Sequence, residues 1–257
     1  MGAAVSKSVR GLGLWSAVLA TVFSLAYVLA QFAEWFGWLG SGGGPESAST
    51  LRGLVVLLTP SLFLGPSFLV LAVSIHQATS ARRKVWSQVA VAFATIYCAL
   101  ITITYYVQLT LVAPRIGADR VPGIEPFLFV PFDSFLYAVD ILGYSFMSAA
   151  TLFAAGAFAG RGQERWVRGF LIANGLLIPF LALQMYWHDL IWVASLWAVT
   201  FPGSTIALAV HFRGLSILPE RTGRRELLRT TGHARTGGAY LSRAQREEPA
   251  SRGAPWS

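Results

Sequence analysis

Charge is what this chain has least of. Only 12% of its 257 residues are charged, about half the ~25% typical of soluble domains. Cysteine occurs once, at Cys98, and lysine only at Lys7 and Lys84. One cysteine closes no intramolecular disulfide and supplies no paired-cysteine metal spacing, which excludes a disulfide scaffold and a zinc ribbon. Gly42–Gly44 opens no G-K-[ST] sequence, so no phosphate-binding loop is present, and the H-E-x-x-H spacing is missing too. Segments of alternating polar and apolar residues, the mark of an outer-membrane barrel, are also lacking.

What is present is apolar sequence in long runs. Hydrophobic residues make up 54% of the chain and the mean hydropathy is +0.56. Six stretches, about 12–36, 51–75, 86–112, 132–159, 168–187 and 190–212, exceed what a strand or core helix needs. Each is long enough to cross a ~30 Å hydrocarbon core at about 1.5 Å per residue. Backbone amides must be satisfied within such a span, so helices are the expected form. The predicted fold class is all-α: a polytopic six-helix transmembrane bundle over residues 1–212, followed by a basic tail over 213–257.

The basic residues set the orientation. Seventeen of the twenty Lys and Arg fall before the first span, between spans two and three, between spans four and five, or after span six. Only Arg52, Arg115 and Arg120 fall on the other side. Lys and Arg accumulate in cytoplasmic loops, so both termini are predicted cytoplasmic, in a cell membrane. Aromatics repeat the pattern without using charge. Trp15, Trp86 and Trp166 lie at one set of span ends, and Trp35, Trp38, Tyr105, Tyr106, Tyr186, Trp187 and Trp192 at the other, as two interfacial belts. The first span exceeds the ~7–15 residues of a signal-peptide core and no A-x-A site follows it, which argues for an uncleaved helix.

The pI of about 10.1 and the net charge of +8 are not a nucleic-acid signature, because the basic residues sit outside the spans. Nine basic and four acidic residues put +5 of that charge on the tail. So polar a tail is predicted to be disordered, either plainly solvated or in contact with anionic lipid; the other partner the sequence implies is the lipid bilayer itself. The loop over 113–131 holds Pro114, Pro122, Pro126 and Pro131 and ends in the apolar run 126–132. It is read as lying along the outer interface, folding over the bundle mouth, or simply approaching span four. Pro60, Gly65 and Pro66, Pro179, and Pro202-Gly203 are predicted to interrupt spans two, five and six.

No span carries Lys or Arg in its interior, which isolates Asp140. It lies about seven residues into span four, roughly 10 Å deep by helical rise. A carboxylate there without a cation is expensive and marks function or pairing. Asp133 precedes it by one heptad, with Tyr137 and Tyr144 four residues after each acid, so Asp133, Tyr137, Asp140 and Tyr144 are expected on one helix face. Gln31 and Glu34, Gln108, and Gln184 reach the same depth from spans one, three and five. These eight residues form the candidate ligand- or proton-binding set, and nothing in the sequence calls for a cofactor. His76 and His211 fall at cytoplasmic ends, His188 at the outer surface and His233 in the tail, so they cannot converge on a metal. A mixed set of Glu34, Asp133, His188 and Asp189 is not favoured.

Three functions are compatible with this set, in order of preference. One is binding or transport of a small or lipid-like ligand through an outward-facing polar pocket; the second is a structural or partner subunit whose polar residues join helices. The third is an enzyme of the outer leaflet with Asp140 as general acid, which lacks a recognisable nucleophile. The orientation is tested by cysteine labelling in a Cys98→Ser background. A cysteine at Ser41 or Asp119 should react with impermeant maleimide in intact cells, and one at Ser80 only after permeabilisation. The reverse pattern would invert the topology.

Overall fold

A computed structural model describes residues 5–44, 46–159 and 161–218; the predicted tail lies outside them, except for its first residues. Six helices in it are long and apolar enough to cross a membrane: α1 Lys7–Trp35, α2 Leu51–Ala78, α3 Ala81–Gly117, α4 Phe135–Ala155, α5 Glu164–Leu183 and α6 His188–Gly214. No β-strand occurs among the described residues beyond one isolated bridge, Val5 with Ile217.

Three of these helices start on a hydroxyl cap. Ser6, Thr50 and Ser134 are extended, and their side chains accept the amides of Val9, Gly53 and Tyr137 at 3.2, 3.0 and 3.1 Å. Each cap satisfies one of the amides that a helix N-terminus leaves without a partner. The chain then winds as a closed ring. Each helix packs on its neighbours in sequence, and α6 returns to α1. Val5 and Arg10 fix that closure: the Val5 amide donates to the Ser216 carbonyl at 3.0 Å and the Arg10 guanidinium to the Arg213 carbonyl at 2.8 Å. The two ends of the described chain thus meet at one end of the bundle, the terminal end; the opposite end is the far end.

Close approach at the seams depends on glycine. Phe212 of α6 lies on Gly13 of α1, Phe170 of α5 on Gly203 of α6, and Ile101 of α3 on Gly143 of α4. A Cβ on Gly175 of α5 would come within 2.5 Å of the Leu152 Cβ and 2.9 Å of its Cα. Helices packed without a hydrophobic drive between them use small residues to bring backbones together. Cys98, the lone cysteine, faces Gly65 across the α2–α3 seam, its Sγ 3.6 Å from where a Cβ would be.

The prolines behave differently from the sequence expectation. Pro60 and Pro66 lie inside an unbroken α2, and Pro202 inside the unbroken segment Trp197–Gly214. Neighbouring helices and hydroxyl side chains re-satisfy the backbone that proline frees. Pro179 does mark a break: α5 consists of Glu164–Gly175 and Ile178–Leu183, with the proline in the first turn of the second piece, where its missing amide costs nothing. Span boundaries also move. Span three extends to Gly117 through a π-helical turn over Gln108–Val112, and span four shortens to Phe135–Ala155.

At the α5 break a polar relay joins three helices. The buried Asn174 amide donates to Thr151 Oγ1 of α4 at 3.1 Å and its carbonyl oxygen accepts from Thr200 Oγ1 of α6 at 3.0 Å. Thr21 of α1 bonds Thr205 of α6 at 2.7 Å. Interhelical bonds of this kind contribute roughly 0.6 kcal/mol each in membrane proteins.

The seam geometry gives a test of opposite signs. Gly175→Ala forces a backbone shift at Leu152 and should lower the melting temperature of the purified protein in detergent by several degrees. Gly169→Ala, with open space around its Cβ, should leave it unchanged or raise it, because alanine is the better helix former. Equal behaviour of the two variants would remove the close-packing argument.

Candidate functional site

The site is built on the inward face of α4. Tyr137, Asp140, Tyr144, Ser148 and Thr151 follow one another at helical spacing, and all are buried. Asp140 is 8% exposed, and its Oδ1 has no hydrogen-bond partner. The Tyr105 hydroxyl of α3 shares a 2.9 Å hydrogen bond with the hydroxyl of Tyr144, one turn along α4 from Asp140.

A cluster of aromatic rings supports this face from below. Tyr144, Trp197, Phe201, Phe68 and Tyr97 form a closed circuit of ring contacts with centroids 5.3 to 6.0 Å apart. Tyr27 joins through an edge-to-face contact with Trp197 at 5.8 Å. The circuit takes one or two rings from each of α2, α3, α4 and α6, with α1 adding the last. Aromatic pairs in these geometries contribute about 0.5–1.5 kcal/mol beyond burial.

The connection between α3 and α4 closes the far end. Ile124 is buried, and Phe127, Leu128 and Phe129 pack on the core. Phe129 contacts Tyr105 at 6.5 Å and Tyr137 at 6.1 Å, and Phe132 contacts Tyr137 at 5.1 Å and stacks on His188 at 4.4 Å. Of the readings open for this loop, folding over the bundle mouth is the one the structure takes. Its anchor is Gln108, fully buried at the π turn of α3, whose side-chain amide donates to the Phe127 carbonyl at 2.6 Å. π turns insert one residue and re-aim a side chain, and they recur at functional sites. Beside the anchor, Glu125 accepts its own amide and that of Gly123, which holds its carboxyl below the ordinary glutamate range.

The eight candidate residues divide accordingly. Asp140, Tyr137 and Tyr144 share one buried face, Gln108 anchors the loop above it, and Gln184 is buried just past the α5 segment that packs on α4. Glu34 is half-buried over Gly53 at the α1–α2 seam, with Oε2 unpartnered. Gln31, also half-buried, makes no hydrogen bond to the cluster. Asp133 requires a correction. It is exposed and precedes the Ser134 cap, so the helix begins after it and the heptad extrapolated from Asp140 does not hold there. Tyr105 and Tyr106, paired in the outer aromatic belt by sequence, face different ways. Tyr105 points into the core, while its neighbour Tyr106, about 100° further round the helix, is exposed.

Sequence reasoning missed Trp197, Phe201, Tyr97 and Tyr27. The available signal was an indole and three other aromatic rings well inside spans, away from the interfacial belts. It also missed Asn174, the most polar uncharged residue in the middle of span five. Among the described residues, no three His, Cys, Asp or Glu side chains come together as a metal set.

The polar atoms fall into two classes. Thr151, Asn174, Thr200, Thr21 and Thr205 are hydrogen-bonded across helices. On α4 and the α3 helix that packs on it, by contrast, Asp140 Oδ1, Tyr137 Oη, Tyr97 Oη, Thr104 Oγ1 and Gln108 Oε1 are buried without partners, as are Gln184 Oε1 and Trp197 Nε1. Buried polar groups are nearly always paired, so this region carries more hydrogen-bonding capacity than the protein uses. The chain matches no protein-family model, no curated protein and no solved structure. The fold and the site define the class reached here: an all-helical chain with six membrane-length helices and a buried acidic centre near the far end.

The loop anchor can be tested directly. Gln108→Leu keeps the volume and removes the bond to Phe127, at a cost of about 1 kcal/mol. Hydrogen exchange over residues 121–132 should quicken while the melting temperature stays within a few degrees of wild type. Unchanged exchange would show that apolar packing alone holds the loop.

Proposed function

We propose that the protein is a multi-pass protein of the cell membrane, with its terminal end in the cytoplasm, and that it takes up a small or lipid-like ligand from the outer side at the Asp140 centre, for transport or sensing. The observation that carries this reading is the unpartnered Asp140 carboxylate oxygen on a nearly buried helix face, with no Lys or Arg in the interior of any span. Intramembrane carboxylates without a paired cation mark ligand, ion or proton pathways. The surrounding unpaired hydroxyls and amides supply the few convergent polar groups that fix a ligand in an otherwise apolar site. The loop over 121–132 then serves as cover, separating the centre from the outer medium.

The second reading, a structural subunit, is favoured by the Asn174 relay and the Thr21–Thr205 bond, which show polar side chains acting as interhelical glue. Glue is satisfied in the isolated chain, whereas the Asp140 centre is not. That contrast ranks ligand binding first.

Asp140→Asn retains shape and removes the charge. Purified wild-type protein should carry a small molecule or lipid detectable by mass spectrometry, and the Asn variant, with a similar melting temperature, should lose it. An identical bound complement on both, with equal stability, would sink the ligand reading and leave the subunit reading in place.

A further inference from the structure

The balance of donors and acceptors around Asp140 goes further than the presence of a site. Of the buried side-chain atoms without partners on the helices about this centre, Asp140 Oδ1, Gln108 Oε1 and Gln184 Oε1 are acceptors only, while Trp197 Nε1 is the one that only donates. The hydroxyls of Tyr97, Tyr137, Thr104 and Ser148 do either. A group that completes this set must bring N–H or O–H donors. It meets one nearly buried carboxylate and no Lys or Arg from the interior of a span, Arg52 and Arg115 lying at the far ends of α2 and α3. Tyr144, one turn along α4 from that carboxylate, is in contact with the Tyr97 and Trp197 rings, and aromatic faces attract cations and disfavour anions. On the path from the far end the cover is apolar: Phe129 and Phe132 lie against Tyr105 and Tyr137.

We propose that the ligand of the Asp140 centre is a protonated amine with an apolar body, its ammonium donating to Asp140 and its hydrocarbon or aromatic part lying among the Phe129, Tyr137 and Trp197 rings. This rests on the ligand-binding reading above and names the class of ligand. An ammonium supplies up to three donors to a site in surplus of acceptors, and its charge-assisted bond to a desolvated carboxylate is the strongest single interaction available there. A fatty acid, a phosphate or a sugar acid would bring a second negative charge beside Asp140.

The experiment uses the purified full-length protein in detergent with three matched pairs: hexylamine and hexanol, phenethylamine and phenethyl alcohol, and butylamine and butanol. Thermal shift and equilibrium dialysis are read at neutral pH, where the amines are protonated. The amines should raise the melting temperature and bind ~10-fold or more tightly than their alcohols, since a charge-assisted bond exceeds 1.4 kcal/mol per decade of affinity. Asp140→Asn should abolish the difference within each pair, and Trp197→Leu should weaken both members. Equal binding of amines and alcohols in wild type overturns the amine assignment and leaves the ligand site standing. Sodium ion reproducing the shift with the amines inert overturns it in favour of an inorganic cation. If no amine or alcohol binds, the amine proposal falls. If wild type and Asp140→Asn also carry the same bound complement in the mass-spectrometric comparison, the ligand reading falls with it.

Discussion

Six helices closed into a sequential ring must fill their own centre, and that constraint organises the rest of the molecule. No seventh helix passes through the ring among the described residues, so the interior is filled by side chains reaching in from several helices at once. The circuit of Tyr144, Trp197, Phe201, Phe68 and Tyr97 does this with large, stiff rings. Aromatic rings suit the task because they cover a wide span with only two side-chain torsions to fix. The glycines at the seams are the counterpart. Rings can meet at the centre because Gly13, Gly143, Gly175 and Gly203 let the helices approach at the rim.

Once the centre is filled by rings, the polar groups have two places to go. In the middle of the bundle, at the α5 break, they pair across helices, and Asn174 joins α4, α5 and α6. Nearer the far end they do not pair. There the inward stripe of α4 continues as Tyr137 and Asp140, and the structure leaves their polar atoms without partners under a loop held by a single side-chain bond from Gln108. Polar satisfaction thus changes along one helix face. The satisfied half joins helices, and the unsatisfied half lies beneath the loop that Gln108 anchors.

Much of this was legible in the sequence, for physical reasons. Hydrophobic run length found all six helices because a bilayer-spanning helix needs ~20 apolar residues and little else produces them. Asp140 was legible because a lone acid in an apolar run has no inexpensive explanation. The errors share one cause, the extrapolation of periodicity past a point where the backbone changes. Asp133 was assigned to the face of α4 although Ser134, a good cap residue, starts the helix after it. The π turn at Gln108 shifts register by an amount no residue pattern announces, so the role of Gln108 as loop anchor was hidden even though the residue itself was selected. Pro60 and Pro66 were read as breaks, yet local propensity yields to packing within the bundle.

The aromatic circuit was the largest feature the sequence withheld. Trp197 is a tryptophan inside a span and outside both interfacial belts, and its residue type alone does not tell a core position from a lipid-facing one. Belt and core tryptophans differ in depth and direction, and direction depends on where α6 begins and how its first turns wind. Short pieces, His188–Leu190 and Ile191–Ala194, precede the main segment from Trp197, so a uniform helical count from the span start misplaces the indole. In the folded chain Trp197 touches Tyr27, Tyr144 and Phe201 at once, which ties the entry of α6 to both the ring closure at α1 and the stripe on α4. A single side chain therefore couples the closure of the bundle to the walls of the acidic centre. Loosening it would be felt at Asp140 as a change in the surrounding dielectric as well as in shape.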